Sequence, residues 1–260
     1  MLAGGPGVGK SMTTIGLCAA AAARGSRVTP FKAVLVTDDP HASGMEGHLL
    51  AAGLSRDSRV GPVVVRRSAF DRGEAELLGH RLGTVRLHGS DSADLTSLPS
   101  VAYQHAHDAV LNALHALVAT FEHVVIEGAG GIGDADPAAD LPNVLAPRAV
   151  DATAYILARC PGHYPEERIG ALESTWFAAA GTQVAGHVLT GCPGSCDAVE
   201  QAYGQPLLGH VPLLDRIVPG LPQWITVETA QSYLSACESA IRHHAPELLA
   251  AAVPVSDGRS

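Results

Sequence analysis

The sequence predicts an α/β protein with a mostly parallel central sheet and helices on both faces of that sheet. A glycine-rich motif near the start is followed by a helix-like run, and short apolar segments then alternate with helical patterns along the 260 residues. Short apolar runs are typical of parallel strands that are buried on both faces. With 47% hydrophobic and 4% aromatic residues, the chain can bury one large core built mainly from Ala, Val and Leu.

The glycine-rich motif reads Gly4-Gly5-Pro6-Gly7-Val8-Gly9-Lys10-Ser11 and has the form G-x-x-x-x-G-K-[ST] of a phosphate-binding loop. Backbone N–H groups of such a loop surround a polyphosphate, the lysine reaches the β and γ oxygens, and the serine hydroxyl can bind Mg²⁺. A helix-like run follows, which favours a nucleotide site over a chance glycine-rich turn. The predicted nucleotide contacts in this segment are Gly5, Pro6, Gly7, Val8, Gly9, Lys10, Ser11 and Met12.

The elements after the loop alternate in the order expected of a parallel α/β fold. The predicted helices span residues 11–24, 42–53, 101–121 and 227–251. The predicted strands span residues 27–36, interrupted by Pro30, then 61–67, 82–87, 123–126, 150–158, 184–190 and 207–211. The third helix should bury Val110, Leu114, Leu117 and Val118 at helical spacing.

Two boundaries are predicted from these patterns. Residues 1–225 form the nucleotide-binding domain, residues 226–252 form a helical segment packed on the same domain, and residues 253–260 form a polar tail. Only three residues precede Gly4, although a hydrophobic strand normally leads into a phosphate loop. The first strand is therefore either unusually short or starts upstream, and the upstream start is slightly favoured.

Charge and cysteine usage narrow the class of protein. A formal net charge of -9 argues against a general nucleic-acid or anionic-membrane surface, because such surfaces need clustered Lys and Arg. The five cysteines are scattered and include no C-x-x-C pair, which favours a reducing cytoplasm over a disulfide scaffold. No apolar run reaches the roughly 18 residues of a membrane span.

Two further charged residues are predicted at the ends of strands. Lys32, in Pro30-Phe31-Lys32, is placed at the end of the second strand candidate, and Glu127 ends the apolar run Val124-Val125-Ile126 before Gly128-Ala129-Gly130-Gly131. At the carboxyl ends of parallel strands, a lysine can neutralise transferred phosphate charge and a carboxylate can hold Mg²⁺ directly or through water. The structural alternatives are a solvated surface lysine and a carboxylate that caps a turn.

The phosphate loop, Pro30-Phe31-Lys32 and Glu127-Gly128-Ala129-Gly130-Gly131, in this order, resemble the ATP-dependent family that contains dethiobiotin synthetase and the synthetase domain of cobyric acid synthase. Further segments are more similar to cobyric acid synthase: Gly61-Pro62-Val63-Val64-Val65-Arg66, Leu82-Gly83-Thr84-Val85 and Asp140-Leu141-Pro142-Asn143. The chain departs from that family at Gly61, where the family has asparagine, at Arg66, where it has lysine, and at Thr190, where an asparagine usually helps to recognise the nucleotide base.

The resemblance implies transfer of the ATP γ-phosphoryl group to a carboxylate or carbamate, followed by attack of a nitrogen nucleophile. It implies ATP and Mg²⁺ as cofactors, Lys10, Lys32 and Glu127 as catalytic residues, Ser11, Asp39 and Glu127 as metal ligands, and Thr190 as a nucleotide contact. Asp38 is an alternative to Asp39. The implied substrate contacts are Glu46, Gly128, Ala129, Gly130, Asp140 and Asn143.

The implied partners are a small-molecule carboxylate, a separate glutaminase subunit and a second copy of the chain in a homodimer. Cobyric acid synthase carries its glutaminase domain after the synthetase domain, and residues 1–260 do not show one. No nucleic-acid or membrane partner is expected.

Three alternatives stay open. A dethiobiotin-type carboxylation and ring closure is the nearest. A partition-type ATPase switch is disfavoured because Gly4-Gly5 stands where that class has a lysine. An inactive partner subunit is disfavoured because Lys10, Lys32 and Glu127 are all present.

Overall fold

The strands of the protein divide between a parallel region and a largely antiparallel one. The computed structural model describes residues 1–4, 8–38, 58–88, 92–131, 136–159, 177, 181–191, 207–212 and 230–254. The strands in these residues are β1 (Leu2–Gly4), β2 (Val28–Phe31), β3 (Val34–Thr37), β4 (Val63–Ala69), β5 (Arg72–Leu77), β6 (His80–His88), β7 (Ser92–Asp94), β8 (His123–Ile126), β9 (Ala154–Arg159), β10 (Val184–Thr190) and β11 (Leu207–Val211). The helices are α1 (Lys10–Ala22), α2 (Ser100–Thr120), α3 (Ala146–Ala149), α4 (Ala230–His244) and α5 (Pro246–Ala252).

The parallel region consists of a four-stranded sheet in the order β1-β9-β10-β11 and a two-stranded sheet of β2 and β8. All of these pairs are parallel, and a single bridge between Leu2 and Glu127 joins the two sheets. The predicted α/β fold with a mostly parallel central sheet is confirmed. The predicted bounds of 123–126, 184–190 and 207–211 match the strands, whereas the strand predicted over 150–158 begins at Ala154 because Asp151 has a positive φ of 49°.

The strand that leads into the loop is three residues long, and all of them are buried. It lies in the sheet through the parallel register Ala3↔Ile156, and its last residue, Gly4, has a φ of 149°. Residues Leu2–Gly4 therefore form a strand of the sheet directly before the loop. Gly4 also approaches β9 closely, since a Cβ placed there would clash with the carbonyl of Leu157.

The stretch predicted as one strand over 27–36 is two strands separated by Lys32 and Ala33. At the break, the backbone N–H of Lys32 donates to the carbonyl of Val60 (2.8 Å). Pro30 lies inside β2 and not between strands, which corrects the prediction. Among the described strands β2 pairs only with β8, and a residue without an N–H is tolerated in such an edge strand.

Strands β3 to β7 form a five-stranded sheet in sequence order, which we call the meander. Only β3 and β4 are parallel, and the remaining pairs are antiparallel hairpins. The sequence predicted β4 and part of β6 but missed β5, whose charged residues alternate with apolar ones and lack the apolar run used to find buried strands. Leu78 and Gly79, with φ of 49° and 85°, form a two-residue hairpin turn between β5 and β6.

Helices cover both faces of the parallel region. On one face, α2 buries Val110, Leu114 and Leu117 in a cluster that also contains the apolar face of the meander. Val118, predicted in the core, is 45% exposed. On the other face, α1 packs against α4 so closely that a Cβ at Gly16 would clash with the carbonyl of Cys237.

The C-terminal helical region predicted over 227–251 is broken in two in the described residues. Ala245 separates α4 from α5, and Pro246 is the first residue of α5, because proline is tolerated in the first turn of a helix but not in its interior. Val253, predicted in the polar tail, is 1% exposed and belongs to the same core cluster as α4 and α5. The boundary at residue 225 stays a prediction, and the helix predicted over 42–53 lies outside the described residues. No helix in the described part of the chain is long and apolar enough to cross a membrane.

Candidate active site

The end of the phosphate loop leads directly into α1. Gly9 takes a left-handed conformation (φ 90°, ψ 21°) at the N-cap, directly before the first helix residue, and no side chain caps the N–H groups there. A helix N-terminus without a side-chain cap offers both hydrogen-bond donors and a partial positive charge to an anion. Val8, Gly9, Lys10, Ser11 and Met12 are described, whereas Gly5, Pro6 and Gly7 lie outside the described residues.

Lys10 lies in the interior with 5% of its surface exposed. Its ammonium group donates to the carbonyl of Gly4 (3.1 Å) and to the carbonyl of Gly130 (2.9 Å). The first carbonyl belongs to the strand before the loop and the second to the segment that follows β8. The loop lysine therefore connects the phosphate loop with the glycine-rich segment after Glu127.

Glu127 is the point where the three sequence motifs meet. Its Oε1 accepts from the Ser11 hydroxyl (2.6 Å) and from the Lys32 ammonium (2.5 Å). Glu127 is fully buried and Lys32 is 7% exposed, so the alternative of a solvated surface lysine is wrong. The parallel pairing Phe31↔Ile126 explains the contact, because it brings the carboxyl ends of β2 and β8 side by side.

The two lysines of this site are also the only two lysines in the sequence, where fifteen arginines supply the other long cationic side chains. Both ammonium groups donate to the segment 127–130: Lys10 to the carbonyl of Gly130 and Lys32 to the carboxylate of Glu127. A compact ammonium group suits a phosphate oxygen as a point charge. The arrangement is therefore suited to an anionic ligand beside α1.

The negative charge of Glu127 affects ionisable groups in the helix layer behind it. Burial raises the pKa of the Cys18 thiol, and the charge of Glu127 raises it further. Burial, followed by Cys237 and Glu127, raises the pKa of Tyr233 in α4 to about 12. Cys18 and Tyr233 therefore stay neutral near pH 7 and add no charge to the site.

Thr190 is the last residue of β10 and contacts the phosphate loop. Its hydroxyl donates to the carbonyl of Val8 (2.6 Å) and lies 3.4 Å from the carbonyl of Ala158. Its methyl group faces Gly9, where an added Cβ would lie 3.7 Å away. The sequence predicted Thr190 as a nucleotide contact, and in the structure its hydroxyl is directed at the backbone of the phosphate loop.

Asp140 and Asn143 lie beside residues 128–130, which we call the 128–130 segment. The amide of Asn143 donates to the carbonyl of Ala129 (2.8 Å) and to both carboxylate oxygens of Asp140 (3.1 Å each). Asp140 is 3% exposed and Asn143 is 4% exposed. The structure thus brings together the predicted substrate residues of the 128–130 segment with Asp140 and Asn143.

A cavity of about 190 Å³ opens next to this group. Its walls come from the start of β3, the end of β6, β7, the 128–130 segment and the turn around Asp140. Sequence reasoning missed the part supplied by the meander, because β7 is only three residues long and carries no motif. The residues that line the cavity include Ser92, Asp94, Ala129, Asp140 and Asn143.

The remaining predicted site residues are not part of this group. Asp39 and Glu46 lie outside the described residues. Asp38, the alternative to Asp39, is exposed and pairs with Arg67 of the meander (2.9 Å). Arg66, which replaces the family's lysine, pairs with Glu76 (3.4 Å). Within the described ranges, no group of three or more His, Cys, Asp and Glu side chains is arranged to hold a metal ion.

The fold and the loop define a P-loop nucleotide-binding protein. Residues 1–219 match the model of CbiA, described as the CobQ/CobB/MinD/ParA nucleotide binding domain, and the chain belongs to this family. The resemblance drawn from the sequence motifs is thereby confirmed at the level of the family.

Curated relatives include cobyric acid synthases. The chain is 30% identical over 162 residues to the enzyme of Rhodobacter capsulatus, a match that covers 59% of this chain and 32% of that protein. It is 33% identical over 134 residues to the enzyme of Mycobacterium tuberculosis, covering 47% of this chain and 25% of that protein. The matched region thus spans about a third or less of these relatives.

Two solved structures match the chain at low sequence identity. A nucleotide-binding protein from Archaeoglobus fulgidus in complex with ADP is 16% identical, with a TM-score of 0.39 and coverage of 92% of this chain and 84% of that chain. Cobyrinic acid a,c-diamide synthase from Mycobacterium smegmatis, with a bound ATP analogue and magnesium, is 17% identical, with a TM-score of 0.42 and coverage of 93% and 94%.

Proposed function

We propose that this protein is an ATP- and Mg²⁺-dependent synthetase that phosphorylates a substrate carboxylate or carbamate and promotes C–N bond formation. The observation that carries the proposal is the buried contact of Ser11 and Lys32 with one oxygen of Glu127, beside Lys10. A nucleotide switch needs the phosphate loop, and a second buried lysine at a strand end could in addition neutralise the charge of a phosphoryl group during its transfer to an acceptor. The cobyric acid synthase relatives support the same class of reaction.

The residues present fit the nucleotide and the metal ion. The uncapped start of α1 and Lys10 would bind the phosphates, and Ser11 with Glu127 would hold Mg²⁺, with Asp39 as a further proposed ligand. Bound Mg²⁺ would supply charge neutralisation on the phosphate oxygens. No cluster of protein ligands is needed for this role, because Mg²⁺ at phosphate sites is held by one or two protein oxygens together with the phosphates and water.

Lys32 would face the acceptor side of the transferred phosphoryl group. The acceptor oxygen attacks the γ-phosphorus, the bond from that phosphorus to the ADP oxygen breaks, and the acyl phosphate forms. A nitrogen nucleophile then attacks the acyl carbon, phosphate leaves, and the nitrogen loses a proton to water. The chain's part in both steps is positioning and charge neutralisation, since phosphoryl transfer offers little covalent chemistry to the protein.

The cavity beside the 128–130 segment is the proposed entry for the acceptor. It adjoins Ala129, two residues beyond Glu127, and it is lined by Asp140 and Asn143. Glu46, Gly128 and Gly130 are the further proposed substrate contacts. A separate glutaminase subunit as ammonia source and a homodimeric state belong to the same proposal.

The experiment is a turnover assay of the purified chain with Mg·ATP, a panel of carboxylic acids, and ammonia, glutamine or bicarbonate. ADP release that depends on an acid, together with the product mass of an amide or ligated compound, is the expected result. The mass of a carboxylated, ring-closed product would instead identify dethiobiotin-type chemistry. ADP release that depends on no acid across the panel would overturn the synthetase proposal.

Lys10→Ala should lower that turnover at least about 100-fold, because it removes a preorganised charge from the transferred phosphate. Arg24→Ala, an exposed cationic position just beyond the same helix, is the matched control and should retain activity. Wild-type turnover in Lys10→Ala would exclude the proposed site.

Calorimetry separates nucleotide binding from turnover. Mg·ADP should bind to wild type and should bind more weakly to Lys10→Ala, because a phosphate-loop lysine contacts the phosphate oxygens. Binding to wild type without turnover would keep the nucleotide site and reject the synthetase activity.

A further inference from the structure

We infer that Asp140 and Asn143 form a positioning clamp that holds the 128–130 segment against the phosphate loop and so sets the affinity of the nucleotide site. The inference rests on nucleotide binding at the proposed site, and it does not depend on the synthetase reaction. It assigns Asp140 and Asn143 the role of positioning the backbone of residues 128–130, a role that the sequence did not predict.

The clamp begins with Asp140, which starts the turn before α3. Its Oδ1 accepts from the backbone N–H of Asn143 (3.0 Å), and both of its carboxylate oxygens accept from the Asn143 amide. The first contact fixes the backbone of residue 143, and the other two fix the orientation of its carboxamide. Asp140 therefore determines where the amide of Asn143 points.

The amide of Asn143 transmits this orientation to the 128–130 segment. A carboxamide has two N–H donors. Here the Ala129 carbonyl receives one contact at 2.8 Å and the Asp140 carboxylate receives the others. The segment also packs tightly, since a Cβ at Gly128 would clash with the Asn143 amide oxygen and lie 3.2 Å from the carbonyl of Leu2.

The far end of the segment reaches the phosphate loop. Gly130 has a φ of 65°, a conformation that favours glycine, and its carbonyl accepts from the Lys10 ammonium. A Cβ on Gly130 would lie 2.6 Å from the hydroxyl oxygen of Ser92 in β7. Displacement of Ala129 would therefore move the Gly130 carbonyl that holds Lys10.

The hydrogen bonds of Asp140, Asn143 and Lys10 are buried, so the loss of any one of them would cost free energy. Asp140, Asn143 and Lys10 are all at most 5% exposed, and a buried polar group without its partner loses its hydration without compensation. Asn143 also lines the cavity, so a ligand in the cavity that shifts its amide would change nucleotide affinity, and the nucleotide would change the affinity of that ligand by the same factor.

The test compares Asn143→Asp with wild type in the full chain. The substitution keeps the size of the side chain but replaces the donor that faces the Ala129 carbonyl by an oxygen. Calorimetry with Mg·ADP should show binding weakened about tenfold or more, the effect of one buried hydrogen bond. Asn112→Asp makes the same chemical change at an exposed position of α2 and should bind Mg·ADP like wild type.

A second measurement distinguishes positioning from general destabilisation. A protein labelled with ¹³C at the lysine ε carbons should give two side-chain NMR signals, because the sequence has two lysines. In the absence of nucleotide, Asn143→Asp should shift the Lys10 signal, whereas a change that only lowered stability would leave the signals of the folded protein in place.

The exchange variant Asp140→Asn/Asn143→Asp restores a donor and an acceptor between the two positions but leaves the Ala129 carbonyl without its amide donor. Its unfolding temperature should recover while its Mg·ADP affinity stays low. Recovery of both, or wild-type affinity and an unshifted Lys10 signal in Asn143→Asp, would overturn the clamp. If Asn143→Asp does not fold, Asp140→Asn, which keeps one acceptor oxygen, should show the same two effects at reduced size, and wild-type values in it would equally overturn the clamp.

Discussion

The parallel region and the meander use strands of the same chain in different ways. In the parallel region the strands are short and mostly buried, and the charged residues Lys32 and Glu127 stand where strands end. In the meander, β4 and β5 alternate along their length, so that Val65 and Ala75 face the core while Arg66 and Glu76 are partly exposed. Buried charge is concentrated at the strand ends of the parallel region, as expected when ligands bind at the carboxyl edge of a sheet.

The meander nevertheless contributes to the site by position. Its last strand, β7, places Ser92 against Gly130 and supplies a wall of the cavity. The parallel region thus provides the chemical groups and the meander provides part of the surface that encloses them. The difference can be tested by making similar changes in both regions.

The largest expected difference in unfolding free energy is between the loss of the buried ion pair Lys32–Glu127 and the loss of the half-buried ion pair Arg66–Glu76. Lys32→Met should lower the free energy of unfolding by about 3–5 kcal/mol, because it leaves the buried carboxylate of Glu127 without its cation. Arg66→Met in the meander should cost under about 1 kcal/mol, because both side chains of its pair are 27% exposed. Urea denaturation of both variants measures the difference.

The double variant Lys32→Met/Glu127→Gln is the control for that contrast. It should recover part of the loss, because the uncompensated charge is removed together with its partner. Equal losses of unfolding free energy in Lys32→Met and Arg66→Met would mean that the burial of an ion pair does not determine how much its loss destabilises the protein.

A smaller contrast is expected for two glycines. Gly16→Ala should destabilise the protein by about 3 kcal/mol, because the new methyl group would meet the backbone of Cys237 and lie 2.5 Å from the Ile241 side chain. Gly79→Ala, in the hairpin turn of the meander, should cost about 1 kcal/mol for its positive φ alone, since no atom lies within 4 Å of the added methyl group.

Thermal and urea unfolding of the two alanine variants would give these values. A larger loss for Gly79→Ala than for Gly16→Ala would contradict the tight contact between α1 and α4.

The smallest effect concerns pH. Burial lowers the pKa of His187 in β10, so the unfolded chain takes up a proton at a higher pH than the folded protein. Above the ordinary histidine pKa of about 6.5, His187 is neutral in both the folded and the unfolded state, and its titration costs no stability. As the pH falls below that value, the unfolded chain binds the proton before the folded protein does, so the folded protein loses stability. Between pH 7.5 and 5.5, wild type should lose stability relative to His187→Gln by no more than about 1.4 kcal/mol per pH unit.

His80→Gln is the control for the pH experiment, because it makes the same substitution at an exposed position of the meander. Its denaturation profile should run parallel to that of wild type across the same pH range. A difference between wild type and His187→Gln that does not depend on pH would show that His187 is not the titrating group.

The sequence by itself determined the class of fold, the phosphate loop and the identity of Lys10, Lys32 and Glu127, because each is encoded by a local pattern. A glycine-rich motif before a helix, and an apolar run that ends in a charged residue, can be recognised without knowing what lies next to them. The predicted bounds of the strands β8, β10 and β11 also match the structure.

Only the tertiary structure decided which of these groups meet and what encloses them. The contact of Ser11 with Glu127 joins residues 116 positions apart, and it depends on the register of β2 and β8 and on the bridge from Leu2. Strand β5, the break at Lys32, the clamp of Asp140 and Asn143 and the cavity wall of β7 likewise follow from packing between distant segments. No local pattern encodes them, because hydrogen bonding and close packing across the fold, and not the propensity of the residues involved, select these arrangements.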